Sequence, residues 1–181
     1  MIKYRELEDL LNEYAGKNSS VLEIGSRPGC YAFAHHSVIH IESNIENLKG
    51  LDLLTTGSSL PFKNESFDMI FMVAVDYYVE DHEAMLAECQ RVLKKGGRLI
   101  IATYKQENLA HQVATQDEAW HAFSEDEYAA RYKKAGFNNF VIDKIINNPP
   151  QNPLKRAVWH FIPRGVLMLR SQWRIYSGIK I

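Results

Sequence analysis

The stretch Ser20-Val21-Leu22-Glu23-Ile24-Gly25-Ser26-Arg27-Pro28-Gly29 constrains the chain more than any other. Val21, Leu22 and Ile24 suit a parallel strand that is covered on both faces. Gly25 and Gly29 follow, and glycine adopts backbone angles that other residues resist. They also let a ligand come close to the main chain. Glu23 is an acid near the carboxyl end of the strand, where open α/β sheets bind ligands. An apolar run, an acid and two glycines predict a nucleotide-type loop; the competing expectation is an ordinary strand-to-turn connection.

The surrounding sequence alternates helices with strands. Residues 3–15 read as an amphipathic helix with Leu7, Leu10, Leu11 and Tyr14 on one face, ended by Gly16. After the glycine turn, residues 30–36 are a short helical candidate. Val38 to Ile41 is a second strand ending at Glu42, Leu51 to Leu54 a third, and Phe67 to Val75 a long apolar fourth. Asp81 caps a helix reaching Lys95, where Lys94 and Lys95 suit the negative end of the dipole and Gly96-Gly97 stops it. Arg98 to Thr103 is a fifth strand. Ser124 and Glu127 form a capping box that starts a helix through Ala135. Phe140 to Ile146 is a sixth strand. Pro149, Pro150 and Pro153 mark a break, and residues 147–171 form an insert or lid. Residues 172–181 alternate as a final strand. This order predicts an α/β domain with a doubly wound, mostly parallel sheet and an antiparallel edge. The division is an N-terminal helix (1–19), a core (20–146), the insert and the last strand, all in one domain.

Composition limits the alternatives. The 181 residues suffice for one substantial core. No apolar run is long enough to span a bilayer, and the N-terminus has no signal-peptide core, so the cytoplasm is the expected compartment. Two cysteines do not make a disulfide framework. No Asp or Glu follows Asp143, while residues 144–181 carry seven basic side chains. That asymmetry suits an anionic ligand or a membrane surface, or else a solvated face.

Leu60-Pro61-Phe62 with Ser66-Phe67-Asp68, followed by Arg91-Val92-Leu93-Lys94-Lys95-Gly96-Gly97, resembles two segments of the class I S-adenosylmethionine-dependent methyltransferases. The resemblance covers roughly residues 20–145. It implies a Rossmann-like sheet of seven strands with the last antiparallel, and S-adenosylmethionine lying over the carboxyl ends of the first strands. It implies Glu23, Gly25, Ser26, Arg27 and Gly29 by the methionine part, with Met72 and Val73 on the same side. Glu42, followed by Ser43, would bind the ribose, since a carboxylate accepts two hydrogen bonds from a diol. Thr56 and Gly57 would lie near the adenine.

The chain departs from the family in three places. Arg27 stands where the loop usually has glycine; it would reach the cofactor's carboxylate or fill its space. The crossover from Gly25 to Val38 is near the minimum of about 10–12 residues for such a unit, which predicts a stunted first helix. Thr56 replaces a frequent acid.

Methyl transfer requires alignment of donor and acceptor more than acid–base machinery. The segment from Asp76 to Asp81 follows the fourth strand and is expected to face the donor methyl. Tyr77 is the candidate acceptor-side residue and Asp76 the candidate base; buried packing is the alternative role for the tyrosines. Trp120, His121, Trp159, Phe161 and Val166 to Leu169 are candidate walls of the acceptor pocket, or core. His35, His36, His40 and Cys30 match no common zinc spacing, so no metal is expected. The leading function is S-adenosylmethionine-dependent methyl transfer to a small-molecule acceptor. The alternative is a non-catalytic, methyltransferase-like binding or regulatory protein with a degraded cofactor site. A dinucleotide oxidoreductase is disfavoured, because the full Gly-x-Gly-x-x-Gly fingerprint is absent. A homodimer is left open and no nucleic-acid partner is expected.

Overall fold

The computed structural model describes residues 5–104, 123–145 and 173–181. The expected insert and the aromatic candidates at Trp120, His121, Trp159 and Phe161 lie outside them, as does the run from Val166 to Leu169. The helices are α1 (Arg5–Tyr14), α2 (His82–Val92) and α3 (Glu125–Lys134). The strands are β1 (Ser20–Ile24), β2 (Ile39–Asn44), β3 (Leu53–Leu54), β4 (Phe67–Val73), β5 (Leu93–Tyr104), β6 (Phe137–Ile145) and β7 (Trp173–Lys180). They form one seven-stranded sheet in the order β3-β2-β1-β4-β5-β7-β6. β7 runs antiparallel to β5 and β6, and the pairings among β1 to β5 are parallel. The doubly wound sheet with an antiparallel last strand is therefore present.

Successive residues of β1 and β4 serve opposite faces, as a strand's period of two requires. Val21, Met69, Phe71 and Val73 join Ile100 and Ala102 beneath Leu7 and Leu11 of α1. Leu22, Ile24, Ile70 and Met72 join Ile101 against Met85, Leu86 and Cys89 of α2 and Tyr128 and Tyr132 of α3. Each large aliphatic side chain buried this way contributes about 1.5–3 kcal/mol. The predicted caps are in place. Asp81 accepts the Ala84 amide at 2.9 Å, and Ser124 and Glu127 form the reciprocal capping box.

No helix forms at residues 30–36, contrary to the sequence expectation. The crossover is a loop whose amides must find other partners. α1 supplies them: Asn12 Oδ1 accepts the Ala34 amide at 2.6 Å, and Glu8 Oε1 accepts the Ala32 amide at 3.2 Å. Tyr31 is buried edge-on against Phe71, occupying part of the face that a helix would cover.

The second helix ends at Val92, three residues before the expected Lys95, and β5 begins at Leu93. Leu93 pairs with Phe67, which draws the chain into the sheet. Gly96 takes φ 77°, and a Cβ on Gly97 would stand 2.8 Å from the Lys94 carbonyl oxygen, so both glycines shape a kinked strand rather than a helix stop. Lys94 consequently donates to Asp68 at 2.8 Å instead of facing the helix dipole. β2 runs on to Asn44, and β6 starts at Phe137 with a bulge around Asn139, at φ 51°.

The two family-like segments meet at one guanidinium. Arg91 donates to the carbonyls of Leu60 at 2.9 Å and Phe62 at 2.7 Å, and pairs with Glu88 at 2.7 Å. Glu88 in turn accepts the Leu60 amide at 2.9 Å. The segments are thus a structural clamp that fixes the entry to β4 against α2. Two of the seven basic C-terminal residues are also structural. Arg174 is buried and pairs with Glu125 at 2.6 Å; Lys180 is buried and donates to the Leu93 carbonyl at 2.7 Å. Neither adds to a basic surface. No helix among the described residues is long and apolar enough to cross a membrane.

Replacing Arg91 by Ala removes charged hydrogen bonds worth about 1.5–3 kcal/mol each before compensation by water. Urea denaturation is expected to show Arg91→Ala less stable by about 2–4 kcal/mol, with Arg91→Lys recovering only part, since an ammonium lacks the planar fork. A loss below about 0.5 kcal/mol, the scale of an ordinary surface change, contradicts the clamp.

Candidate active site

The glycine turn is tied to the end of β2. The Ser26 amide donates to the Ser43 carbonyl at 2.8 Å, and Asn44 Nδ2 donates to the Ser26 carbonyl at 2.8 Å. Oε1 of Glu42 accepts the Gly29 amide at 2.7 Å and the Ser26 hydroxyl at 3.1 Å. Ser26 and Ser43 are fully buried, and the Ser43 hydroxyl donates to the Glu23 carbonyl at 2.8 Å. Gly29, at φ 78°, has open space where a Cβ would be. Arg27 is exposed, so its side chain does not fill the core of the turn.

Gly25 is required by a close approach. It takes φ 75°, and a Cβ there would lie 2.3 Å from a methyl of Val75. Val75 reaches this position because Ala74, at the end of β4, takes φ 57°. That angle costs a non-glycine residue roughly 1–2 kcal/mol. The contact joins the turn after β1 to the segment leaving β4, which carries Asp76 and Tyr77.

Glu23 lies opposite Glu42 in the register of β1 and β2. Its carboxylate is 2% exposed. Burial raises its pKa, and the contact with His40 opposes that rise. Oε2 lies 3.1 Å from His40 Nε2, yet the pair makes no well-directed hydrogen bond. His40 also stacks on Phe71, with ring centroids 5.7 Å apart. Ligand atoms of Glu23, His40 and Glu42 lie within 4.8 Å of one another, a spacing a metal ion can use. Two of the three are the acids that the resemblance assigns to the cofactor, so this group belongs to the same site.

The remaining candidates are distributed differently. Thr56 is exposed and bridges to Ser59, while Gly57 is buried; a Cβ on it would come within 3.2 Å of Met85 and 3.3 Å of Ile24. Met72 and Val73 belong to opposite faces of the sheet. Asp76 and Tyr77 begin a 3-10 turn (Asp76–Tyr78). Asp76 is fully buried and accepts a hydrogen bond from the Tyr128 hydroxyl. Burial pushes its pKa up to about 6, against the opposing effect of the Tyr128 bond. Tyr77 is buried within a row of rings: Tyr78 lies 4.6 Å from it, Tyr104 6.4 Å, and Trp173 stands 4.3 Å from Tyr104. His35 and His36 are exposed.

Sequence reasoning weighed His40 only as a metal ligand and missed its contact with Glu23, along with the roles of Val75, Tyr104, Trp173 and Tyr128. A signal existed for His40, which stands two residues before Glu42 and so on the same face of β2. Nothing local marks Val75, whose place depends on the unusual angle at Ala74.

The strand order, glycine turn and paired acids define a class I methyltransferase fold. Residues 23–101 match the family model of a methyltransferase domain. Among curated proteins, the chain is 28% identical over 138 residues to an uncharacterized protein of Methanocaldococcus jannaschii, covering 69% of this chain and 67% of that protein. It is 30% identical over 105 residues to the malonyl-[acyl-carrier protein] O-methyltransferase of Hahella chejuensis, covering 58% of this chain and 33% of that enzyme. The chain thus spans about a third of that relative's length. A solved structure from Thermotoga maritima, named as an S-adenosylmethionine-dependent methyltransferase and possible histamine N-methyltransferase, superposes with a TM-score of 0.69 at 24% identity, covering 98% of this chain and 90% of that one. The fold is thus that of class I S-adenosylmethionine-dependent methyltransferases, and residues 23–101 carry the match to a methyltransferase domain.

Asp76 gives the protein a pH-dependent stability with a definite sign. Its folded pKa of about 6 lies above the ordinary aspartate value, so the native state binds the proton more readily than the unfolded state. The associated stabilisation is full below the ordinary aspartate range and is lost as pH rises through about 6. The shift corresponds to roughly 2–3 kcal/mol. Thermal denaturation from pH 4 to pH 8 is expected to show Asp76→Asn with a shallower decline than the wild type and greater relative stability at pH 8. Parallel profiles would contradict the buried acid's role.

Proposed function

We propose that the chain is a cytoplasmic, single-domain methyltransferase that uses S-adenosylmethionine to methylate a small-molecule acceptor. The observation that carries this reading is the buried Glu23 carboxylate, grouped with His40 and Glu42 beside a glycine turn that Glu42 ties down. A buried carboxylate suits an ammonium donor such as the methionine amine. The space beside Gly29 lets a ligand approach the main chain. These residues fit S-adenosylmethionine, which supplies a methyl group activated on a sulfonium.

In this reading Glu23 holds the methionine amine, and Gly25, Ser26 and Gly29 shape the turn around it. Arg27, exposed at the turn, reaches the methionine carboxylate. Glu42 uses Oε1 to hold the turn and presents Oε2 to the ribose hydroxyls. Ser43 fixes Glu42 by locking β2 to β1. Thr56 lies at the adenine edge, and Gly57 brings that loop close to α2. Met72 supports the floor from one face and Val73 from the other. Tyr77 forms the acceptor side. Asp76, buried under it, acts as a fixed negative group and positions the turn, rather than touching the acceptor as a base.

A second reading, a non-catalytic binding or regulatory protein, is favoured by the helix-free crossover and by the contact of His40 with Glu23. The two relatives with named activities use different acceptor atoms, an oxygen in one and a nitrogen in the other, so likeness alone does not choose an acceptor.

Calorimetric titration with S-adenosylhomocysteine decides between these readings. Micromolar binding is expected, about −8 kcal/mol, with Arg27→Gly within about tenfold of the wild type and Glu42→Ala weakened at least tenfold. Binding that appears only in Arg27→Gly, or in neither protein at millimolar ligand, supports the non-catalytic reading.

A further inference from the structure

The carboxyl edge of the sheet carries a row of aromatic rings that neither the glycine turn nor the paired acids require. Tyr77 and Tyr78 leave β4, Tyr104 ends β5 and Trp173 begins the antiparallel β7, so three segments of sequence are brought to one edge. Tyr77 lies between Tyr78 and Tyr104, and Trp173 backs Tyr104. Tyr78 is 53% exposed, a large aromatic left at the surface beside the site. Asp76, next to Tyr77 in the chain, is fully buried and accepts a hydrogen bond from Tyr128 of α3. The contact of Val75 with Gly25 sets this row against the glycine turn.

We infer that the acceptor is an amine, whose nitrogen lies against the exposed ring of Tyr78 at the head of the row and becomes positively charged there as it is methylated. This names the substrate class for the methyltransferase reading and rests on it.

The chemistry at the row favours a cation. Ring faces carry negative potential and attract a positive nitrogen. Burial first, and then Tyr78, Tyr104 and Asp76, raise the pKa of the Tyr77 hydroxyl, which stays neutral. Tyr104 is likewise raised by burial and by Tyr78. A hydroxyl acceptor would also need a base in contact, whereas Asp76 is fully buried and bonded by Tyr128; a carboxylate would be repelled by the negative ring faces. A neutral amine needs no base. Its nitrogen lone pair forms the new bond to the methyl carbon, the carbon–sulfur bond breaks, and that electron pair stays on sulfur. The positive charge passes from sulfur to nitrogen, and the ammonium product later gives its proton to water. The rings and Asp76 favour charge where it develops, which is where stabilisation accelerates a reaction.

The test uses the full chain with S-adenosylhomocysteine bound. Choline is compared by calorimetry with 3,3-dimethyl-1-butanol, its neutral isostere. Choline is expected to bind at least about tenfold more tightly. Tyr78→Leu should lose that preference and Tyr78→Phe should retain it, with affinity for S-adenosylhomocysteine the same in both. Label transfer from S-adenosylmethionine to a mixture of primary amines, phenols and carboxylic acids should appear on nitrogen. Equal binding of choline and its isostere, a preference indifferent to Tyr78→Leu, or label on oxygen overturns the inference. Choline preference without any binding of S-adenosylhomocysteine would leave the cation site standing and fail the methyltransferase reading instead.

Discussion

A single carboxylate oxygen organises the ligand-binding edge. Oε1 of Glu42 receives both the Gly29 amide and the Ser26 hydroxyl. In an ordinary crossover a helix would follow the turn and fix its amides. Here the crossover has no helix, and the end of β2 takes over that task through Glu42, Ser43 and Asn44. Glu42 therefore holds the turn with one oxygen. The crossover itself is pinned from the opposite side by Glu8 and Asn12 of α1.

The sheet makes this economy workable. β1, β4 and β5 are buried on both faces, and the Arg91 clamp fixes the entry to β4. A rigid β4 can then hold Ala74 in a left-handed conformation, and that conformation carries Val75 onto Gly25. The segment leaving β4 is thereby registered against the turn after β1 through one van der Waals contact. Strain concentrated at such a position is typical of sites where geometry matters to function.

The sequence made some of this legible and concealed the rest for physical reasons. Strand 1, the capped ends of α2 and α3, and the acids at positions 23 and 42 are local patterns, and local patterns survive without tertiary information. Residues 30–36 carry alanines and other residues that a helix tolerates, but their fate is decided by side chains of α1 some twenty positions away. Lys94-Lys95-Gly96-Gly97 reads as a helix stop by propensity; pairing of Leu93 with Phe67 overrides it. The basic C-terminal set reads as a surface charge, whereas Arg174 and Lys180 are drawn into buried contacts by the pairing of β7 with its neighbours. The ring row was half legible, since Tyr77 and Tyr78 adjoin the fourth strand, while Tyr104 and Trp173 join them only through the sheet.

The most direct test of the account is amide hydrogen exchange across residues 25–30 in the wild type and in Glu42→Ala, both without ligand. The Gly29 amide should be protected in the wild type and exchange freely in the variant, while the amides of β1 and β4 keep their protection in both. A Gly29 amide that exchanges at the unprotected rate in the wild type would contradict the claim that Glu42 holds the turn in place of a helix.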